Sequence, residues 1–416
     1  MLADKYLFLF LILATGVFLA PSRESHAQIS QFGGPNRNGI FPETGLMNSW
    51  PVDGPKLVHT ITGIGEGFAS PTITQNGIYI AGMIDSVGYI FHFDNEFQLK
   101  WKTEIGREFT FKYVGARGTP TIEDNRLYYV ASMGNAVCLN ATTGEKIWHF
   151  NIFEKFNGEY IKWGYTESPL IYGEKIFFTP GGPGSNFVAL NKMNGELIWA
   201  ADIDSTFNSY CSPVIINHNK KDLVLLNTSY AILLINPDDG KVIVKHPLNE
   251  SSNNHAIPPI YTDGKLFYSS GYGEGATLFQ IVEGKQEMDT IYTNKDFDCK
   301  LSGLIVYDGI VFGVTDKRKI WAGIDIKTGE TKFTSRDLKP GSFVLADDKF
   351  YMFSDVGEVA LATPSKNGFN IVSKFNIPAE NVKMAFAHPV IHNGILYIRY
   401  SNNLWLYKIK FKPKNE

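Results

Sequence analysis

Few residues of this chain are spaced for bond-making chemistry. The sequence holds no Gly-x-Ser-x-Gly elbow and no His-Glu-x-x-His pair. Those spacings would lift a nucleophile onto a tight turn or set two imidazoles on one helix face. Gly271 to Gly275 and Pro180 to Gly184 are glycine-rich. A phosphate loop needs a helix N-terminus after it, and strand-like residues follow here, so both read as loops between strands. His388 and His392, four apart, would share a strand face but stand too far from each other to hold one metal. Asp238-Asp239 and the pair Asp296 and Asp298 read as acidic turns. The three cysteines, Cys138, Cys211 and Cys299, are far apart in sequence. They read as small buried apolar groups, at least one of them a free thiol.

The chemistry the sequence does offer is recognition. Two segments, Gly106 to Gly118 and Phe153 to Glu167, gather Phe109, Phe111, Tyr113, Phe153, Phe156, Tyr160, Trp163 and Tyr165, and they end near Arg117 and Glu167. Aromatic faces beside charges suit a sugar or a peptide, which offer apolar faces and hydrogen-bonding edges. The expected ligand site is therefore Arg117, Trp163, Tyr165 and Glu167, joined by Tyr210 and Lys300. A competing arrangement uses the same loops to plug a channel, with the aromatics as a satellite core and Arg117–Glu167 as a structural ion pair.

The elements that must position these residues repeat along the chain. A block of small residue, Pro, apolar pair, polar turn and aromatic strand begins at Ser70-Pro71, Thr119-Pro120, Ser168-Pro169 and Ser212-Pro213. It returns at Pro258-Pro259, Ser302-Gly303, Ser342-Phe343 and His388-Pro389, with spacings of 40 to 49 residues. That is the period of a four-stranded propeller blade. A second signature closes the copies: Leu139-Asn140 to Gly144 then Trp148, Leu190-Asn191 to Gly195 then Trp199, and Ile235-Asn236 to Gly240 then Val244. Ile324-Asp325 to Gly329 then Phe333 is another. An Asn or Asp opens the turn, Gly takes positive φ, and an apolar strand follows. The large ring is expected to pack between neighbouring blades.

The expected fold is all-β: an eight-bladed propeller of four-stranded antiparallel blades, its ring closed by the N-terminal strand. The last copy stops after three strands, and residues 55–62 resemble a fourth strand without earlier partners. Sharing one blade between both ends removes exposed sheet edges. Residues 28–54 are an N-terminal extension, 55–411 the propeller and 412–416 a tail.

Composition narrows the partners. A net charge of −3, with Lys+Arg 39 against Asp+Glu 42, gives no basic stripe for nucleic acid. Lys5, an apolar run from Tyr6 to Ala20 and Ser25-His26-Ala27 read as a signal peptide cleaved near Ala27. The expected location is periplasmic or extracellular, with membrane contact only during export. No cysteine precedes Cys138, so no lipid anchor is expected at that cleavage site.

The Ser/Thr-Pro strand and the Gly-x-x-x-Trp turn resemble the PQQ-like propeller repeat of quinoprotein alcohol dehydrogenases and of the outer-membrane assembly factor built on the same ring. Gly33 to Gly39, Glu43 to Leu46 and Ser49-Trp50-Pro51 resemble the leader of an exported bacterial branch of that family. The resemblance spans residues 33–410 and implies the fold more sharply than the function. The enzymes it brings to mind hold pyrroloquinoline quinone with Ca²⁺, an acidic base and a disulfide between adjacent cysteines. This sequence has no adjacent cysteine pair and no Cys-x-x-Cys-His haem motif, and no Ca²⁺ ligand set maps onto it. The expectation is a binding or scaffold module without cofactor, taking a protein, peptide or glycan at the channel mouth. The alternatives are a PQQ- and Ca²⁺-dependent dehydrogenase, a carbohydrate-active propeller and an outer-membrane assembly subunit.

Overall fold

The computed structural model describes residues 29–203, 208–248 and 254–411. The expected signal segment 1–27, its cleavage point and the tail 412–416 lie outside these residues. Eight sheets form the ring. Blade 2 shows the plan: Thr121–Glu123, Arg126–Val130, Asn135–Asn140 and Lys146–Asn151 run antiparallel in chain order from the axis to the rim.

The closing turns work as the residue types demand. Asn140 Oδ1 accepts from the amides of Thr142 at 2.9 Å and Thr143 at 3.1 Å. Asp325 does the same for Lys327 and Thr328. These side chains replace backbone partners that the tight turn cannot supply. Where a Trp ends the rim strand, its ring docks on the next blade's turn. Trp101, Trp148 and Trp199 donate Nε1–H to Ala141 O, Lys192 O and Pro237 O at 3.2, 3.0 and 3.1 Å. Each acceptor is the residue just after the turn-opening Asn. Gly240 is needed twice over: its φ is +75°, and a Cβ there would meet Trp199 at 2.7 Å. Every rim strand also slips register against its neighbour. Such bulges discourage edge-to-edge pairing by the outermost strands.

The ring closes between the chain ends. Two short strands, β1 (Ile29–Ser30) and β2 (Ile40–Phe41), precede β3 (Lys56–Thr62). β3 pairs antiparallel with Asn403–Lys408 as the outer strand of blade 8. Arg399, about 1% exposed, fastens this seam by donating to Ala69 O, Ala81 O and Gly65 O. The extension 28–54 does more than precede the ring. β1 adds to the inner strand of blade 2, and β2 adds in parallel to the inner strand of blade 7. The leader between them therefore lies in the channel. Arg37 is buried there and donates to Ser168 O at 3.0 Å, Pro213 O at 3.2 Å and Pro169 O.

Two expectations change. The segment from Phe153 opens with a helical turn, α1 (Ile152–Phe156), capped by the Asn151 side chain. Phe153 and Phe156 join the core between blades 2 and 3 instead of a loop surface. The channel is plugged by the leader, not by the two long loops. All three cysteines are buried and unpaired.

Candidate functional site

Counting back three residues from the repeat proline position reaches Phe68, Arg117, Thr166, Tyr210, Ala256, Lys300, Pro340 and Phe386. All but Pro340 line a single cavity of about 290 Å³. Counting back one residue reaches Ser70, Thr119, Ser168, Ser212, Pro258, Ser302, Ser342 and His388, the throat beneath.

The throat explains the Ser/Thr-Pro motif. Thr119 Oγ1 accepts from Ser70 N at 3.2 Å, Ser168 Oγ from Thr119 N at 2.9 Å and Ser212 Oγ from Ser168 N at 2.8 Å. Ser70 Oγ donates to His388 O at 2.9 Å, carrying the chain of bonds across the closing seam. Proline follows because the next position needs an extended backbone and can lack a donor. Each of these hydroxyls thus ties its blade to a neighbour.

The walls are aromatic. Phe68 and Phe386 lie 5.5 Å apart, Phe386 and Tyr113 6.0 Å, and Tyr113 meets Trp163 edge-on at 5.7 Å. Tyr210 OH accepts from Trp163 N at 3.3 Å, which ties the second long loop to blade 4. Phe32, from the leader, contributes to the lining and meets His388 edge-on at 5.3 Å.

Two cations stand in the mouth tier, Arg117 before blade 2 and Lys300 before blade 6. Four blades apart in a ring of eight, they face each other across the opening. Lys300 Nζ lies 3.5 Å from Asp316 and 4.0 Å from the Tyr272 ring centre. Arg117 donates to Tyr113 O at 2.6 Å and lies 4.9 Å from the Phe109 ring centre. Its Nε is buried without a partner, and among the described residues no carboxylate pairs with it. Burial lowers its pKa to about 10, so it stays charged at neutral pH. Burial lowers His388 to about 4 and raises Tyr210 to about 12. At neutral pH both are uncharged. Among the described residues, no Asp or Glu lines the cavity.

Of the six expected site residues, Arg117, Trp163, Tyr210 and Lys300 line the cavity, whereas Tyr165 and Glu167 are buried behind it. The expected Arg117–Glu167 pair does not form. Glu167 Oε2 accepts from Tyr165 OH at 2.7 Å and Thr179 Oγ1 at 2.9 Å, and Oε1 is buried without a partner. Burial raises this carboxyl to about 8, and Arg37 is the cation that opposes the shift. Glu108, the carboxylate whose charge acts on Arg117, is held by Tyr129 OH and Ser132 within the blade. Phe68, Phe386, Tyr272 and Phe32 were not expected. The first two were within reach of the sequence, since both stand three residues before a repeat proline. Tyr272 and Phe32 come from other loops and carry no such signal.

The ring, its docked turns and this mouth define a PQQ-type eight-bladed propeller. Residues 88–335 match the family described as outer membrane protein assembly factor BamB, and the chain belongs to that family. It is 22% identical to the outer membrane protein assembly factor BamB of Yersinia pestis, over 72% of this chain and 75% of the relative. It is 24% identical to the quinoprotein alcohol dehydrogenase PedH of Pseudomonas putida, over 46% of this chain and 32% of that one. This chain thus spans only about a third of that dehydrogenase, and less of a quinoprotein ethanol dehydrogenase of Pseudomonas aeruginosa, of which it covers 21%. Among solved structures, BamB from Moraxella catarrhalis superposes with a TM-score of 0.61 at 15% identity, covering 85% of this chain and all but 1% of its own. Among the described residues, no helix is long and apolar enough to cross a membrane.

Proposed function

We propose that this chain is an exported, non-catalytic binding module that takes a ligand from a protein partner or an envelope polymer at its channel mouth. One observation carries the reading: an aromatic-walled cavity is lined by the equivalent side chain from seven of the eight blades, and Phe32 of the chain's own leader joins that lining. Three of its titratable groups keep one form at neutral pH: charged Arg117, neutral His388 and un-ionised Tyr210. The carboxyls with raised pKa, Glu167 and Glu108, are buried inside blades. A Ca²⁺-held quinone finds no acidic ligand among the described residues of the lining, and those residues do not fit that group. The match over most of both chains to an assembly factor, against a third of a dehydrogenase, supports a partner that is a protein. Export by residues 1–27 belongs to the same proposal.

An unbiased peptide and glycan array tests it, probed with wild type, Arg117→Ala and Trp163→Ala. Binding by wild type that both variants lose supports the mouth. Equal binding by all three, or none, removes it. Dye-linked turnover with added quinone and Ca²⁺ would replace the reading with an oxidoreductase.

A further inference from the structure

We propose that the mouth is a socket for the C-terminal end of a polypeptide, its last side chain apolar and its terminal carboxylate on Arg117. This rests on the binding role proposed above.

The sign of the ligand comes first. Among the described residues, the lining holds Arg117 and Lys300 and no carboxylate. Lys300 already shares its charge with Asp316, while Arg117 has no ion-pair partner among the described residues and a buried, unpartnered Nε. A guanidinium in a half-buried aromatic wall is poorly compensated and gains most from an incoming anion. A planar carboxylate matches its forked donors.

The body of the ligand comes second. Ser70 Oγ donates across the seam, Thr119, Ser168 and Ser212 each give a lone pair to a neighbouring blade, and His388 is neutral. The walls above them are aromatic surface from Phe68, Tyr113, Trp163 and Phe386. A sugar hydroxyl buried against those ring faces would lack a partner. An apolar side chain needs none.

The direction of approach comes third. The leader closes the channel below the cavity, so a chain cannot thread through and must present an end. An N-terminal ammonium would face two cations, whereas a C-terminal carboxylate meets complementary charge. Leu301 of the lining is exposed, as are Phe111 and Tyr160 in the two long loops and Met384 two residues before Phe386. They give the residues before the terminus an apolar landing that a small acid would not use.

The test titrates the full chain with fluorescein-labelled octapeptides that share a Gly/Ser body. They end in phenylalanine, leucine or glycine, each as free acid and as C-terminal amide. Free acids ending in phenylalanine or leucine should bind, and amidation should weaken them at least about tenfold, the usual effect of losing a charge-assisted hydrogen bond. Arg117→Gln should abolish the difference between acid and amide, and Arg117→Lys should keep part of it. Lys300→Gln should cost less, about two- to threefold, as a rim charge does. Melting curves confirm that each variant is folded. Equal affinity for acid and amide, an unchanged acid preference in Arg117→Gln, or no peptide binding overturns the proposal. So does tighter binding of a small acid, benzoate or pyrroloquinoline quinone, than of every peptide. If neutral glycans bind at the mouth while the acids do not, the binding role stands and the C-terminal socket falls. If nothing binds, both fall.

Discussion

The rim and the mouth of this ring are built on the same repeat and treat it in opposite ways. At the rim, equivalent positions keep equivalent chemistry: Trp101, Trp148 and Trp199 each donate to the turn of the next blade. At the mouth, equivalent positions diverge into Phe68, Arg117, Thr166, Tyr210, Ala256, Lys300, Pro340 and Phe386. A blade contacts its neighbour in the same way around the circle, so packing rewards sameness. A ligand on the axis sees all blades at once, so recognition rewards difference. Function on this scaffold is written where the repeat breaks its own pattern.

That contrast predicts that rim changes alter stability and mouth changes alter binding. The largest effect should come from removing residues 29–62, which deletes the leader and β3 and uncovers strand edges on blades 2, 7 and 8. Chemical denaturation should then lose its single cooperative transition; an unchanged midpoint and slope would show that the ring closes without them. Next comes Trp199→Ala, which empties the gap over Gly240 and orphans Pro237 O. It should cost about 3–5 kcal/mol in urea unfolding and leave ligand affinity intact once folded. Gly240→Ala keeps the ring but forces a Cβ to within 2.7 Å of it, and should cost about 1–3 kcal/mol in the same measurement.

Between rim and mouth lies Glu167, which gives a pH signature. Its folded value of about 8 lies above the ordinary 4.5 because burial disfavours the charged form. The native state therefore holds the proton more tightly than the unfolded chain. This contribution to stability is complete below about 4.5 and is lost as pH rises through about 8. Wild-type melting temperature should fall across that window relative to Glu167→Gln, and parallel profiles would show that the carboxyl does not ionise there. The smallest stability effect belongs to Arg117→Gln, less than about 1 kcal/mol, since its direct partners are Tyr113 O and aromatic faces. A larger loss would make Arg117 part of the framework.

Much of the fold was legible because turns and strands are local. Asn140 to Trp148 carries its own instructions: an Asn to open the turn, a Gly for positive φ, a ring to dock. Even the closure could be read, because residues 55–62 look like a rim strand that lacks a hairpin partner. The mouth was half legible. Aromatic density pointed to Trp163 and Arg117, but it also swept in Phe153, Phe156 and Tyr165, which the structure buries. Periodic hydrophobicity says that a ring is large and apolar, not which neighbour will cover it.

Sequence alone determined the number of blades, the strand order within each and the blade that both ends share, since hairpins and their caps depend on residues a few positions apart. Tertiary structure alone decided that the leader fills the channel, that Arg37 spans blades 2, 3 and 4 through Thr121 Oγ1, Ser168 O, Pro169 O and Pro213 O, and that Arg117 and Glu167 part company. These outcomes join residues as distant in sequence as Ile40 and Leu345. They depend on which backbone carbonyls and which empty volume the closed ring leaves on its axis, and no local pattern encodes that.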